Sequence, residues 1–214
     1  MTIAAQIGQT TTAIFERAKR LLLDPKAEWP TVEAEPATIG AIYSRYVAIL
    51  AALPALSVFI GTLVFGIPIL GVAYRPPFVN SVTSALWSYF LQLGGVFALA
   101  LIIEALAPTF GGQANRVGAF KVAAYSATAA WLAGVFQIVP WLGFLSILGF
   151  YSLYLLYTGL PVLMKVPQEK ALLFVLTLVL IAAVLAIAFV AVATQRSTGD
   201  CAALDQDRTA ILVS

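Results

Sequence analysis

Two apolar segments, Val117 to Ile138 and Trp141 to Met164, are joined only by Val139-Pro140, and this corner limits the fold more than any other feature of the chain. At ~1.5 Å per helical residue, each segment is long enough to cross a hydrocarbon layer of ~30 Å. Two residues cannot recross it, so the chain must turn back at the membrane edge. The flanking cations, Arg116 and Lys121 before the pair and Lys165 and Lys170 after it, then share one side of the bilayer. The first segment repeats small side chains at Ala123, Ala127, Ala130 and Gly134, a spacing that lets another helix approach closely. The second carries Gly149, Tyr151, Tyr154, Tyr157 and Gly159 among Leu and Phe.

With 61% hydrophobic and 10% charged residues, the chain has too little polar surface to clothe a water-soluble globule of its 214 residues. The reading is an all-α, polytopic integral membrane protein. No histidine and a single cysteine, Cys201, disfavour metal sites, imidazole acid/base chemistry and an internal disulfide. No cofactor and no nucleic-acid partner is expected from a net charge of +2 spread beside apolar segments.

Three more spans complete a set of five: Tyr46 to Phe65, with Pro54 inside it, Val82 to Leu106, and Ala171 to Ala193. The expected layout is a cytoplasmic segment over 1–45, a five-helix domain over 46–193 (46–65, 82–106, 117–138, 141–164, 171–193) and a polar, disordered tail over 194–214. Met1 to Leu23 lacks the continuous apolar centre of a secretory signal. Ile3, Ile7, Ile14, Ala18, Leu21 and Leu22 gather on one side of a short amphipathic helix, opposite Glu16, Arg17, Lys19 and Arg20. Either this helix lies in the lipid interface, with Arg17, Lys19, Arg20 and the aromatic Trp29 as anchors, or it packs on the protein's own polar face. Prolines 25, 30 and 36 and acids 28, 33 and 35 predict an extended connector after it, and Gly66 to Pro77 reads as an exit loop.

Counted with the amino terminus in the cytoplasm, nine cations fall inside and three outside (Arg75, Arg196 and Arg208), which sets that orientation by the positive-inside rule and sends the carboxyl terminus to the other side. Glu104, near the end of its span, is expected to snorkel or to pair with Lys121 on the next helix. Gln92, Thr128, Gly134, Gln137, Gly149, Tyr151, Tyr154, Tyr157 and Gly159 are the candidates for helix packing or for lining a cavity. The tyrosines step around their helix by about 60° each, as a slanting band.

The ordered strings Tyr125-Ser126, Trp131-Leu132-Ala133-Gly134, Ile138-Val139-Pro140 and Tyr151 to Met164, followed by Pro167 and Lys170-Ala171, resemble the Yip1 domain, and its bacterial branch in particular. Ala129 stands where that pattern has a proline after Thr128, so no proline kink is expected there. The resemblance implies five membrane helices and a cytoplasmic amino terminus, in a bacterial inner (plasma) membrane. It also implies homo- or hetero-oligomers; its eukaryotic relatives are linked to membrane traffic and Rab-type GTPases, a role a bacterial cell does not offer. No Ser/His pair, paired intramembrane aspartates or His-Glu-x-x-His occurs. The expected function is therefore a non-enzymatic scaffold or adaptor, with a small transporter, channel or lipid-handling protein as the alternative.

Overall fold

The structure, a computed structural model, describes residues 14–69 and 72–188. The first segment of Met1 to Leu23, the end of the fifth span, the tail over 194–214 and Cys201 lie outside the described residues. Two units are distinguished, 1–175 and 176–214; in the second, the described residues continue one helix.

Five helices are long and apolar enough to cross a membrane. Residues 14–23 form a short helix, α1, and Pro25–Ala34 forms α2. The spans follow as α3 (Ile39–Val64), α4 (Phe78–Phe110, its last turn a 3-10 turn), α5 (Arg116–Ile138), α6 (Pro140–Leu163) and α7 (Gln168–Ala188). Only Val139 separates α5 from α6, as the two-residue corner requires. The all-α membrane architecture holds, with one addition. The loop after α3 contains a small antiparallel ribbon, β1 (Ile67–Ile69) with β2 (Val72–Tyr74), in the register Ile67↔Tyr74, Pro68↔Ala73, Ile69↔Val72. Gly66 starts it at φ +77, where a Cβ would sit 3.0 Å from the Tyr74 carbonyl oxygen.

Helix α5 is the centre of the first unit. Of its most apolar stretch 72% is buried in protein, against 33% for α3 and 22% for α4 and α6. It also has the lowest mean hydropathy of these spans, 1.2, because a helix enclosed by other helices has no need of bulky lipid-compatible side chains. Its small residues bring neighbours close. A Cβ on Gly134 would lie 2.6 Å from the Pro54 Cβ of α3, and one on Gly61 of α3 would meet the Ile138 carbonyl oxygen at 2.6 Å. The proline inside α3 thus packs against α5. Phe97 of α4, Phe120 of α5 and Tyr43 of α3 stack edge to face, with centroids 5.2–6.3 Å apart.

Despite Ala129, α5 is interrupted. Regular α-helix ends at Ser126 and resumes at Thr128, and the Ala130 amide donates to the Ser152 hydroxyl of α6 at 2.9 Å. A side-chain acceptor on the neighbouring helix serves the amide where the regular ladder is broken, so the break needs no proline.

Candidate functional site: the seat of the N-terminal arm

The extended connector expected between Asp24 and Pro36 is instead the helix α2. Pro25 occupies its first position, where the missing N–H costs nothing. The Asp24 carboxylate caps it by accepting from the Ala27 amide at 3.3 Å. Pro30 lies inside the helix, and long-range contacts hold the segment helical around it.

The largest of these contacts is Trp29. Expected as an anchor toward lipid, it is fully buried: its indole N–H donates to Thr158 Oγ1 of α6 at 3.0 Å, and its ring covers Gly159. A Cβ on Gly159 would come within 2.7 Å of the indole, so the glycine makes the socket. Thr158 in turn donates to the backbone carbonyls of Tyr154 and Leu155.

At the other end of α2 stands Lys121 of α5, only 5% exposed. Its ammonium donates to the carbonyl oxygens of Val32 (2.6 Å), Glu33 (3.3 Å) and Glu35 (2.6 Å). Three donors meet three acceptors left over at the helix end, where the macrodipole also favours a cation. The buried charge of Lys121 is thereby satisfied without a carboxylate.

Charged side chains close the arm around this point. Arg17 of α1 forms a two-pronged pair with the Glu35 carboxylate and lies 5.7 Å from the centroid of the Tyr125 ring. Hydrogen bonding to Arg17 holds the Glu35 carboxyl below the usual carboxylate range, and the same bond raises Arg17. Arg17 and Arg20 both approach Glu28, at 3.8 and 3.2 Å. Glu33 pairs with Lys165 in the α6–α7 turn at 2.5 Å. The apolar side of α1 (Ile14, Ala18, Leu21) is buried, and the Tyr151 hydroxyl of α6 donates to the Leu22 carbonyl oxygen at 3.0 Å. Of the two readings of the amphipathic helix, these contacts match packing on the protein itself. Lys19 and Arg20 keep exposed side chains.

Below the arm, the Tyr46 hydroxyl of α3 and the Thr128 hydroxyl of α5 share a buried hydrogen bond of 2.8 Å. The Tyr46 ring meets Tyr125 at 4.6 Å, and the backbone of α3 widens into a π turn over Tyr43–Val47 at this level.

Glu104 and Lys121 are not brought together. Glu104, part-exposed, lies 3.7 Å from Arg116 at the opening of α5. The other candidates are dispersed as well. Gln92 bonds back to the Ser88 carbonyl of its own helix at 3.3 Å, and Gln137 is exposed. Gly149 lies against Ala130, where a Cβ would sit at 3.4 Å. Tyr151 turns toward the arm, whereas Tyr154 and Tyr157 keep 40% and 36% exposure, so the three do not line one pocket. Sequence reasoning gave no site role to Tyr46, Tyr125 or Thr158, and no pairing role to Glu28, Glu33 and Glu35. Hydroxyl-bearing aromatics inside apolar runs and a tryptophan set among acids were the signals available. Among the described residues no group of three or more His, Cys, Asp or Glu is placed to hold a metal ion.

The sequence model of the Yip1 domain matches residues 19–190, which includes α2, its seat and all five spans. Among curated proteins, the inner membrane protein YohC of Escherichia coli is 27% identical over 159 residues, covering 72% of this chain and 82% of that protein. YohC of a second Escherichia coli strain matches to the same extent. No solved structure matches the chain.

Proposed function

Because the chain belongs to the Yip1 domain family and is a five-span membrane protein with its N-terminal arm seated on the α5–α6 hairpin, we propose that it is a non-enzymatic scaffold or adaptor of the bacterial inner membrane. It assembles with itself or with other membrane proteins through helix faces and presents the arm on the cytoplasmic side. The observation that carries the reading is the seat. A fully buried tryptophan, a buried lysine with all three donors engaged and four ion pairs hold α1 and α2 in one position. A rigid surface of this kind is what a docking partner can recognise without the cost of ordering it. The excess of cations on the arm's side supports the orientation. The printed name of the Escherichia coli relative supports the membrane.

Cross-linking in native membranes followed by mass spectrometry tests this. Cross-links from the arm to a second membrane protein or a second copy are expected, and deleting residues 1–23 should remove them while the chain still inserts. Unchanged cross-links after the deletion contradict the proposal.

A further inference from the structure

Beside the Trp29 socket, a cleft of about 310 Å³ opens between α2, the last turns of α6 and the first residue of α7, lined by Lys26, Tyr157, Thr158, Pro161, Val162 and Gln168. Three of its walls carry hydrogen-bond donors that no group among the described residues uses. The Lys26 ammonium, the Tyr157 hydroxyl and the Gln168 amide have no side-chain partner among the described residues. Most other cations nearby are committed: Arg17, Arg20 and Lys165 to carboxylates, Lys121 to carbonyls. Among the described residues no carboxylate lines the cleft.

The cleft sits where α6 leaves the apolar layer and α7 enters it. Tyr154 and Tyr157 are exposed on the flank of the membrane-crossing part of α6, the position of an interfacial aromatic belt. Pro161 and Val162 supply apolar wall. A single ammonium with two neutral donors, at the end of one span and the start of the next, matches one phosphodiester whose acyl chains continue down the helix flank. We propose that this cleft binds the phosphate of an anionic glycerophospholipid, with Lys26 as its charge partner and Tyr157 and Gln168 as further donors. Lys26 belongs to α2 of the arm, but lipid binding in the cleft does not rest on the arm's having a protein partner.

The test uses the full chain in nonionic detergent, titrated with dioleoylphosphatidylglycerol or dioleoylphosphatidylcholine and read by native mass spectrometry. Wild type is expected to retain a first phosphatidylglycerol about fivefold more tightly than phosphatidylcholine, the worth of one lysine at a lipid surface. Lys26→Gln should remove the preference and Lys26→Arg keep it. Lys19→Gln, an equal change of charge on the exposed side of α1, should also keep it. Absence of preference in wild type, or its survival in Lys26→Gln, overturns the proposal, as does equal loss in Lys19→Gln. Displacement of phosphatidylglycerol by excess inorganic phosphate would show a soluble-anion site instead and likewise overturn it.

Discussion

Trp29 and Gly159, 130 residues apart in the chain, pack so closely that a Cβ on the glycine would lie 2.7 Å from the indole. The contact fixes where α2 rests on α6. Because Trp29 is fully enclosed, its ring cannot swing aside. Gly159→Ala should therefore lower stability by about 1–3 kcal/mol through overpacking. Trp29→Phe alone loses ring volume and the bond to Thr158. Combined with Gly159→Ala it should cost less than the sum of the two single changes, since the smaller ring leaves room for the methyl group. Thermal unfolding of the four proteins measures this; strict additivity would show that the two residues do not touch.

Replacing Lys121 by methionine keeps much of the side-chain volume but strips the carbonyls of Val32, Glu33 and Glu35 of their shared donor. Stability is expected to fall by about 1–3 kcal/mol, with faster amide exchange confined at first to α2. Glu104→Gln should leave α2 exchange unchanged, because Glu104 faces Arg116 rather than Lys121.

The Arg17–Glu35 pair makes the arm sensitive to acid. The folded-state pKa of Glu35 is depressed, chiefly by the hydrogen bond from Arg17. Its contribution is therefore fully present above the unfolded carboxylate value of about 4.3 and is lost as pH falls through the lower folded value. Exchange protection of α1 and α2 should decline below about pH 4 in wild type, and Glu35→Gln should lack that component. The Glu35 side chain is 44% exposed, so added salt should shrink the difference.

Ser152→Ala removes the acceptor for the Ala130 amide at the break in α5. In the apolar layer no water replaces it, and a loss of about 1–2 kcal/mol is expected. A thermal midpoint equal to that of wild type would mean that the amide finds another acceptor.

How much of this the sequence discloses follows from the range of the forces involved. The spans are legible because a ~30 Å apolar layer imposes length and composition on each segment by itself, and Val139-Pro140 leaves the hairpin no alternative. The helix α2 was not legible. Local rules weigh Pro25, Pro30 and Pro36 as breakers, yet Pro25 falls at the one permissive position, and the contacts that favour helix come from Lys121, Thr158 and Gly159, some 90 to 130 residues away. Glu104 and Lys121 look like partners because one charge near a span's end invites the next along the chain. Arg116 stands at the entrance of α5, nearer the end of α4, and takes the carboxylate, while Lys121 reaches a helix end that sequence reasoning had not placed there. Likewise the break in α5 was tied to a proline, when a serine on the facing helix suffices.

The seating of the arm on the hairpin is the claim on which the rest depends, and the Glu33–Lys165 pair across it gives the most direct measurement. In a Cys201→Ser background, Glu33→Cys and Lys165→Cys should be joined within one chain by a short bismaleimide in intact native membranes. Trypsin should then release the fragments on either side of the bridge as one cross-linked species, and Lys121→Met should reduce its yield. No intramolecular bridge in the Cys201→Ser background with Lys121 intact, with both cysteines reactive toward a monofunctional maleimide, would contradict the seating.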